Sequence, residues 1–327
     1  MFVRIFKTTQ PLPLILLGII SGFMWLISWM FHFRVQPPDG MPLYDLIYYL
    51  LRALPGWTMA LTGFLLITSQ AIHLNYILNK HEILFRQSWL PALLYVILGG
   101  LFPVFLGFHP ILFVNSILIL ALDRIISLYK NPSPLSLAFD SALLFSLAAL
   151  IYLPTSFFFI FYGIAILIIR PINWREAVAG MLGLAIPIVF AMLYYFLNNE
   201  LDDFYERVFH SGIAQDFSLT NLSAGHFLYS AVYVLILLLM SIVKLQSNYY
   251  KNVTKARLVQ QMLLLFIPFG ILTVIISRDT DLWRYMMLLI PFSVYLGYYF
   301  LSANRKIITE LLFLLLLAAW VANYFWF

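Results

Sequence analysis

Two stretches between long apolar runs hold the charged groups with the chemistry to act on a substrate. The first, Arg34 to Trp57, carries Asp39, Asp45 and Arg52. The second, Ser277 to Tyr285, packs Arg278, Asp279, Asp281 and Arg284 into nine positions. A carboxylate within hydrogen-bond reach of a hydroxyl can take its proton, and the planar guanidinium fork matches a phosphate bidentately. A third stretch, about 198–225, adds Glu200, Asp202, Asp203, Glu206, Arg207, His210 and Asp216. Each group also has a plain structural reading. Asp39-Gly40 is a common turn pair, the two arginines can pair with Asp279 and Asp281, and an acidic stretch is most simply a solvated surface.

Other chemistries are excluded by composition or spacing. Cysteine is absent, so no disulfide or thiolate metal site exists. His81-Glu82 lacks a second histidine four residues on, which removes the zinc-protease motif. His32, His73, His109, His210 and His226 have no ligand spacing, so no metal site is expected. Phosphate-binding loops, dinucleotide fingerprints and nucleophile elbows are missing as well.

The elements that carry these residues follow from composition. Of 327 residues, 63% are apolar and 10% charged, against roughly 25% charged in a soluble domain. Lipid is then the solvent, and backbone groups in lipid find partners only within helices or closed barrels. The runs are continuously apolar for about twenty residues, the length of a transmembrane helix, and lack the alternation of a membrane barrel. Eleven runs are predicted: 12–33, 58–79, 89–107, 111–128, 136–153, 155–170, 177–197, 226–244, 259–277, 283–302 and 307–326. The expected fold is an all-α polytopic bundle, residues 1–327 forming one integral membrane domain.

With a cytoplasmic N-terminus and a crossing at every run, 14 of the 19 Lys and Arg fall inside and 9 of the 14 Asp and Glu fall outside. Basic residues collect in short cytoplasmic loops, so the net charge of +5 reports orientation and not a nucleic-acid partner. Trp57, Trp89, Trp174, Trp283 and Trp326 lie near run ends, as an interfacial aromatic belt would place them. The first run exceeds a signal-peptide core and lacks a cleavage site, so it reads as a retained helix. Between Pro42 and Pro55, Leu43, Ile47, Leu50, Leu51 and Leu54 recur at helical spacing, which predicts a short amphipathic helix at the outer interface. Eleven crossings from a cytoplasmic N-terminus put the C-terminus on the outer side.

This order of parts resembles the GT-C superfamily of membrane glycosyltransferases, which take sugars from polyprenyl-phosphate donors on the outer side of the membrane. Asp39 stands where those enzymes carry an acidic residue in the first external loop, and 42–54 looks like their juxtamembrane helix. Ala138 to Pro154 looks like their middle helix, Ile172-Asn173-Trp174-Arg175 like their basic loop, and Trp283-Arg284-Tyr285 through Pro291 is similar to the entry of a late helix. The chain is also similar to a family of inner-membrane proteins from Bacteroidota to which no activity is attached. Many GT-C members pair two acidic residues in the first loop, whereas Asp39 and Asp45 are six apart.

The resemblance implies roles. Asp39, then Asp45, would be the base that deprotonates the acceptor hydroxyl. Arg284, then Arg278 and Arg52, would bind the donor phosphate. No cofactor is required, although a divalent metal is compatible because some relatives use one. The implied partners are membrane lipid and a polyprenyl-phosphate sugar donor. Two other classes fit the same bundle: a non-enzymatic lipid-binding or assembly protein of the envelope and, third, a transporter, whose usual marks are thin: Gly99-Gly100 and Pro187.

Overall fold

The computed structural model describes residues 2–8, 10–31, 33–38, 41–171, 173–202, 204–205, 225–277, 282–303 and 306–325. Asp39 and Arg278 lie outside them, as do most of 203–224 and Trp326. Among the described residues the secondary structure is helical, apart from one isolated bridge. In chain order the helices are α1 (Phe2–Phe6), α2 (Leu12–Phe31), α3 (Pro42–Arg52), α4 (Trp57–Lys80), α5 (Leu90–Gly99), α6 (Pro110–Ser127), α7 (Pro134–Ile151), α8 (Phe158–Ile169), α9 (Trp174–Leu197), α10 (Gly225–Ser247), α11 (Thr254–Ile276), α12 (Leu289–Ser302) and α13 (Lys306–Phe325). Short 3-10 turns precede α8 (Leu153–Phe157) and α12 (Leu282–Leu288), and another follows α5 (Pro103–Leu106).

Among the described residues nine segments are long and apolar enough to cross a membrane, and two shorter ones, Leu90–Gly99 and Leu153–Ile169, are apolar. The multi-pass helical character expected from the runs is therefore present. One run differs most in form. The segment expected at 89–107 is not a continuous helix: α5 stops at Gly99, Gly100 caps it, and the chain turns before Pro103–Leu106. A Cβ on Gly99 would touch Leu289 Cδ1 at 3.4 Å, and one on Gly100 would meet the Met24 sulfur at 2.8 Å. The break thus sits where α2 and α12 press against α5.

Burial divides the helices by depth. Every residue of α5 is buried, and α12 is nearly so. A helix that is apolar all round belongs in the middle of a bundle, and α5 and α12 fill that place. By contrast α2, α9, α10 and α13 leave large apolar side chains exposed, the surface that hydrocarbon covers. Close approach depends on small residues, as expected where hydrocarbon gives no hydrophobic drive between helices. The Trp25 ring occupies the space of a Cβ on Gly63, joining α2 to α4. A Cβ on Gly183 of α9 would lie 2.5 Å from the Phe139 carbonyl of α7, and beside it Ser146 Oγ donates to Leu184 O at 2.8 Å.

The short helix α3 forms as its composition requires. Pro42 opens it, Asp45 lies in the first turn and Arg52 in the last, each charge complementing the helix dipole. Its apolar residues serve two sides. Leu43, Ile47 and Leu51 pack on the bundle, whereas Leu46 and Leu50 are exposed, as is Leu54 just past the helix end.

Candidate functional site

The candidate site is assembled where the 33–38 segment folds back onto the bundle. Phe108 N–H donates to Arg34 O and Gln36 N–H to Phe108 O, both at 2.8 Å, making the parallel bridge between Val35 and Phe108. Gly107 allows this approach, since a Cβ there would meet the Arg34 carbonyl at 2.7 Å. Tyr44 of α3 seals the junction: its hydroxyl donates to Gln36 O at 2.8 Å and its ring stacks on Phe108 at 6.3 Å.

The next residue, His109, begins α6 at Pro110. It is 2% exposed. Its ring stacks on Trp283 at 5.2 Å with an interplanar angle of 19°, and Nε2 lies 3.2 Å from Phe105 O, so that nitrogen is assigned the proton. Nδ1 is enclosed without a partner among the described residues. Burial pushes the imidazole down to about 4, which leaves it neutral near pH 7. Trp283 is itself 2% exposed. It is not part of an interfacial belt, as its place at a run end suggested. It is the wedge between His109 and Tyr152, whose ring meets it edge-on at 5.7 Å. The Tyr152 hydroxyl in turn hydrogen-bonds Ser277 Oγ at the end of α11.

Arg284 follows Trp283 in the 282–288 turn. Its Nη1 donates to Val274 O at 3.1 Å and Ser277 O at 3.4 Å, and the guanidinium lies 5.7 Å from the Tyr285 ring. The last carbonyls of a helix lack internal partners, and a cation there also opposes the helix dipole, so Arg284 caps α11. The turn is fixed from below by Asn115, whose Nδ2 donates to Met286 O at 3.0 Å. Beside it lies an apolar cavity of about 150 Å³ bounded by Leu98, Phe102, Phe105, Tyr285 and Phe292.

The expected site residues are therefore distributed as follows. Asp45 is half-buried and Arg52 exposed, both on α3. Arg284 is half-buried at the head of the 282–288 turn. A run of contacts through Tyr44, Phe108, His109 and Trp283 joins α3 to that turn, so these residues share one end of the bundle. Asp45, Arg52 and Arg284 do not line the 150 Å³ cavity; Leu282 and Tyr285, the neighbours of Arg284 in the turn, do. Asp39 and Arg278 fall outside the described residues.

Sequence reasoning missed His109, Tyr152 and Ser277, which lie on separate runs and share no spacing. It also missed a polar array at the opposite end. There Lys80 Nζ lies 3.1 Å from Asp123 Oδ1, His81 Nε2 lies 2.8 Å from the same oxygen, and Lys255 Nζ lies 2.7 Å from His81 Nδ1. Among the described residues no group of three or more His, Asp or Glu is arranged to hold a metal ion. No family model matches the chain, and neither the curated proteins nor the solved structures provide a match.

Proposed function

We propose that this chain is a GT-C-type glycosyltransferase of a bacterial inner membrane, crossing eleven times with its N-terminus cytoplasmic and its C-terminus periplasmic, and transferring a sugar from a polyprenyl-phosphate donor on the outer face. The observation that carries this reading is the apolar cavity beside the 282–288 turn, at the end of the bundle where the first external segment docks. A polyprenyl phosphate needs an apolar slot for its tail next to a cation for its head.

The reaction follows from the residue types. Asp39, with Asp45 second, takes the proton of the acceptor hydroxyl as its oxygen attacks the anomeric carbon. The bond from that carbon to the phosphate oxygen breaks, and its electron pair leaves with the lipid phosphate. Arg284, with Arg278 and Arg52 behind it, opposes the charge that grows there. The carbonyls of Val274 and Ser277 fix the Arg284 guanidinium, so it needs no reorganisation during the step. No cofactor enters this scheme; a divalent metal is compatible with it.

A second reading is favoured by those same carbonyl contacts. As a cap of α11, Arg284 needs no substrate, which suits a non-enzymatic lipid-binding or assembly protein of the envelope. Transfer separates the two. Asp39→Asn should leave expression and membrane insertion intact and abolish release of sugar from a polyprenyl-phosphate donor, and Arg284→Ala should weaken dependence on the lipid phosphate most. Full activity in Asp39→Asn would remove that residue from the role. Lipid binding by the wild type without any transfer would favour the second reading.

A further inference from the structure

A polar stripe runs along α4 where hydrocarbon would be expected. Ser69, His73, Tyr76 and Lys80 are spaced four, three and four residues apart, which puts them on one helix face. The stripe borders a groove of about 570 Å³ between α4 and α6, lined also by Gln70 and Ser116 and, on its apolar side, by Ile72, Ile119 and Leu120. Tyr76 is 57% exposed along it. One turn beyond its last lining residues, Tyr76 and Leu120, a charged pair spans the same two helices, Lys80 with Asp123 at 3.1 Å. Lys80 Nζ sits 5.8 Å from the Tyr76 ring, and that ring stacks on His73 at 6.2 Å.

The inner end of the groove meets a buried amide network. Gln70 Nε2 donates to Ser116 Oγ at 2.7 Å and to Leu112 O at 2.6 Å, and Gln70 Oε1 accepts from Tyr95 at 2.8 Å. Asn115 donates to Met286 O behind it. His73 Nε2 and Asn115 Oδ1 are enclosed with no partner among the described residues. Ser69 lies eleven residues from Lys80, about 16 Å along the axis, so the network stands near the middle of the span.

Polar and ionisable side chains inside a membrane face the protein interior or a water-filled cavity. Acyl chains offer nothing to hydrogen-bond with. A docked partner helix would need polar groups only at its crossing point, not a stripe continuous with the charged helix end. We propose that the α4–α6 groove is an aqueous half-channel, open on the membrane face that carries Lys80 and closed at the Gln70–Asn115 network, admitting water and small hydrophilic solutes to the middle of the bilayer. The proposal is independent of the sugar-transfer reading.

The chain contains no cysteine, so single cysteines report without background. Ser69→Cys and Ser116→Cys change one atom each and preserve packing. In sealed vesicles, a charged, membrane-impermeant methanethiosulfonate should modify both from the same side as Arg86→Cys, which is exposed beyond Lys80. Both should react at least about 100-fold faster than Leu235→Cys on the exposed apolar face of α10, because a pKa rise of about 2 units in hydrocarbon removes that much thiolate. Ser69→Cys and Ser116→Cys as slow as Leu235→Cys would overturn the proposal, as would modification only from the opposite side. Cross-linking of Ser69→Cys to another chain would replace it with a helix–helix interface.

Discussion

The neutral, buried His109 makes a quantitative claim about acid. Its imidazole titrates at about 4 in the folded chain against an ordinary 6.5, because burial between Phe105 and Trp283 disfavours the charged form. Unfolding exposes the ring and restores the ordinary value. Above pH 6.5 both states hold the ring neutral and the contribution to stability is complete. As pH falls from 6.5 towards 4 the unfolded state binds a proton that the folded state refuses, so stability declines; below 4 the loss levels off. At about 1.4 kcal/mol per pH unit the gap is worth on the order of 3 kcal/mol, a sizeable share of the ~5–15 kcal/mol that holds a typical protein folded. Carboxylates titrate over part of the same range, so the useful measurement is a difference. His109→Phe keeps a flat ring for Trp283 to stack on and cannot titrate. Melting temperatures in detergent, measured from pH 7.5 to pH 4, should fall less steeply in His109→Phe than in the wild type. Parallel curves would refute the account of His109 as a buried neutral group.

Two further substitutions test how the helices are held. Gly183→Ala places a Cβ 2.5 Å from the Phe139 carbonyl and 3.1 Å from the Leu143 nitrogen, and overpacking of this kind costs roughly 1–3 kcal/mol; an unchanged melting temperature would show that α7 and α9 can part freely. Asn115→Leu strips the buried Met286 carbonyl of its donor, which costs about 1–3 kcal/mol. Hydrogen exchange should quicken in residues 282–288, and unaltered protection there would mean Asn115 does not hold the turn.

The helices were legible in the sequence because length and continuous apolarity are local properties. The short helix α3 was legible too, from Pro42 and the spacing of Leu43, Ile47 and Leu51. What the pattern hid depends on which helix faces which. Trp283 looked like a belt residue because belts and buried wedges both occur near helix ends, and only the approach of His109 and Tyr152 tells them apart. Gln70, Tyr95 and Asn115 lie on three different apolar runs and become a network only when α4, α5 and α6 pack. The break at Gly99-Gly100 was visible as a glycine pair, but not that Leu289 and Met24 pack against it. The candidate site was legible as a list of charges and not as a place. Asp45, Arg52 and Arg284 are joined to one end of the bundle by aromatic contacts that no spacing encodes.

The proposed reaction moves sugar from a lipid phosphate at the outer end of the bundle. Purified protein in vesicles, supplied with a polyprenyl-phosphate sugar and a lipid-free hydroxyl acceptor panel, measures it most directly. The account predicts loss of sugar from the donor with the wild type and none with Asp39→Asn. Intact donor in both, with the wild type folded and correctly inserted, would contradict it.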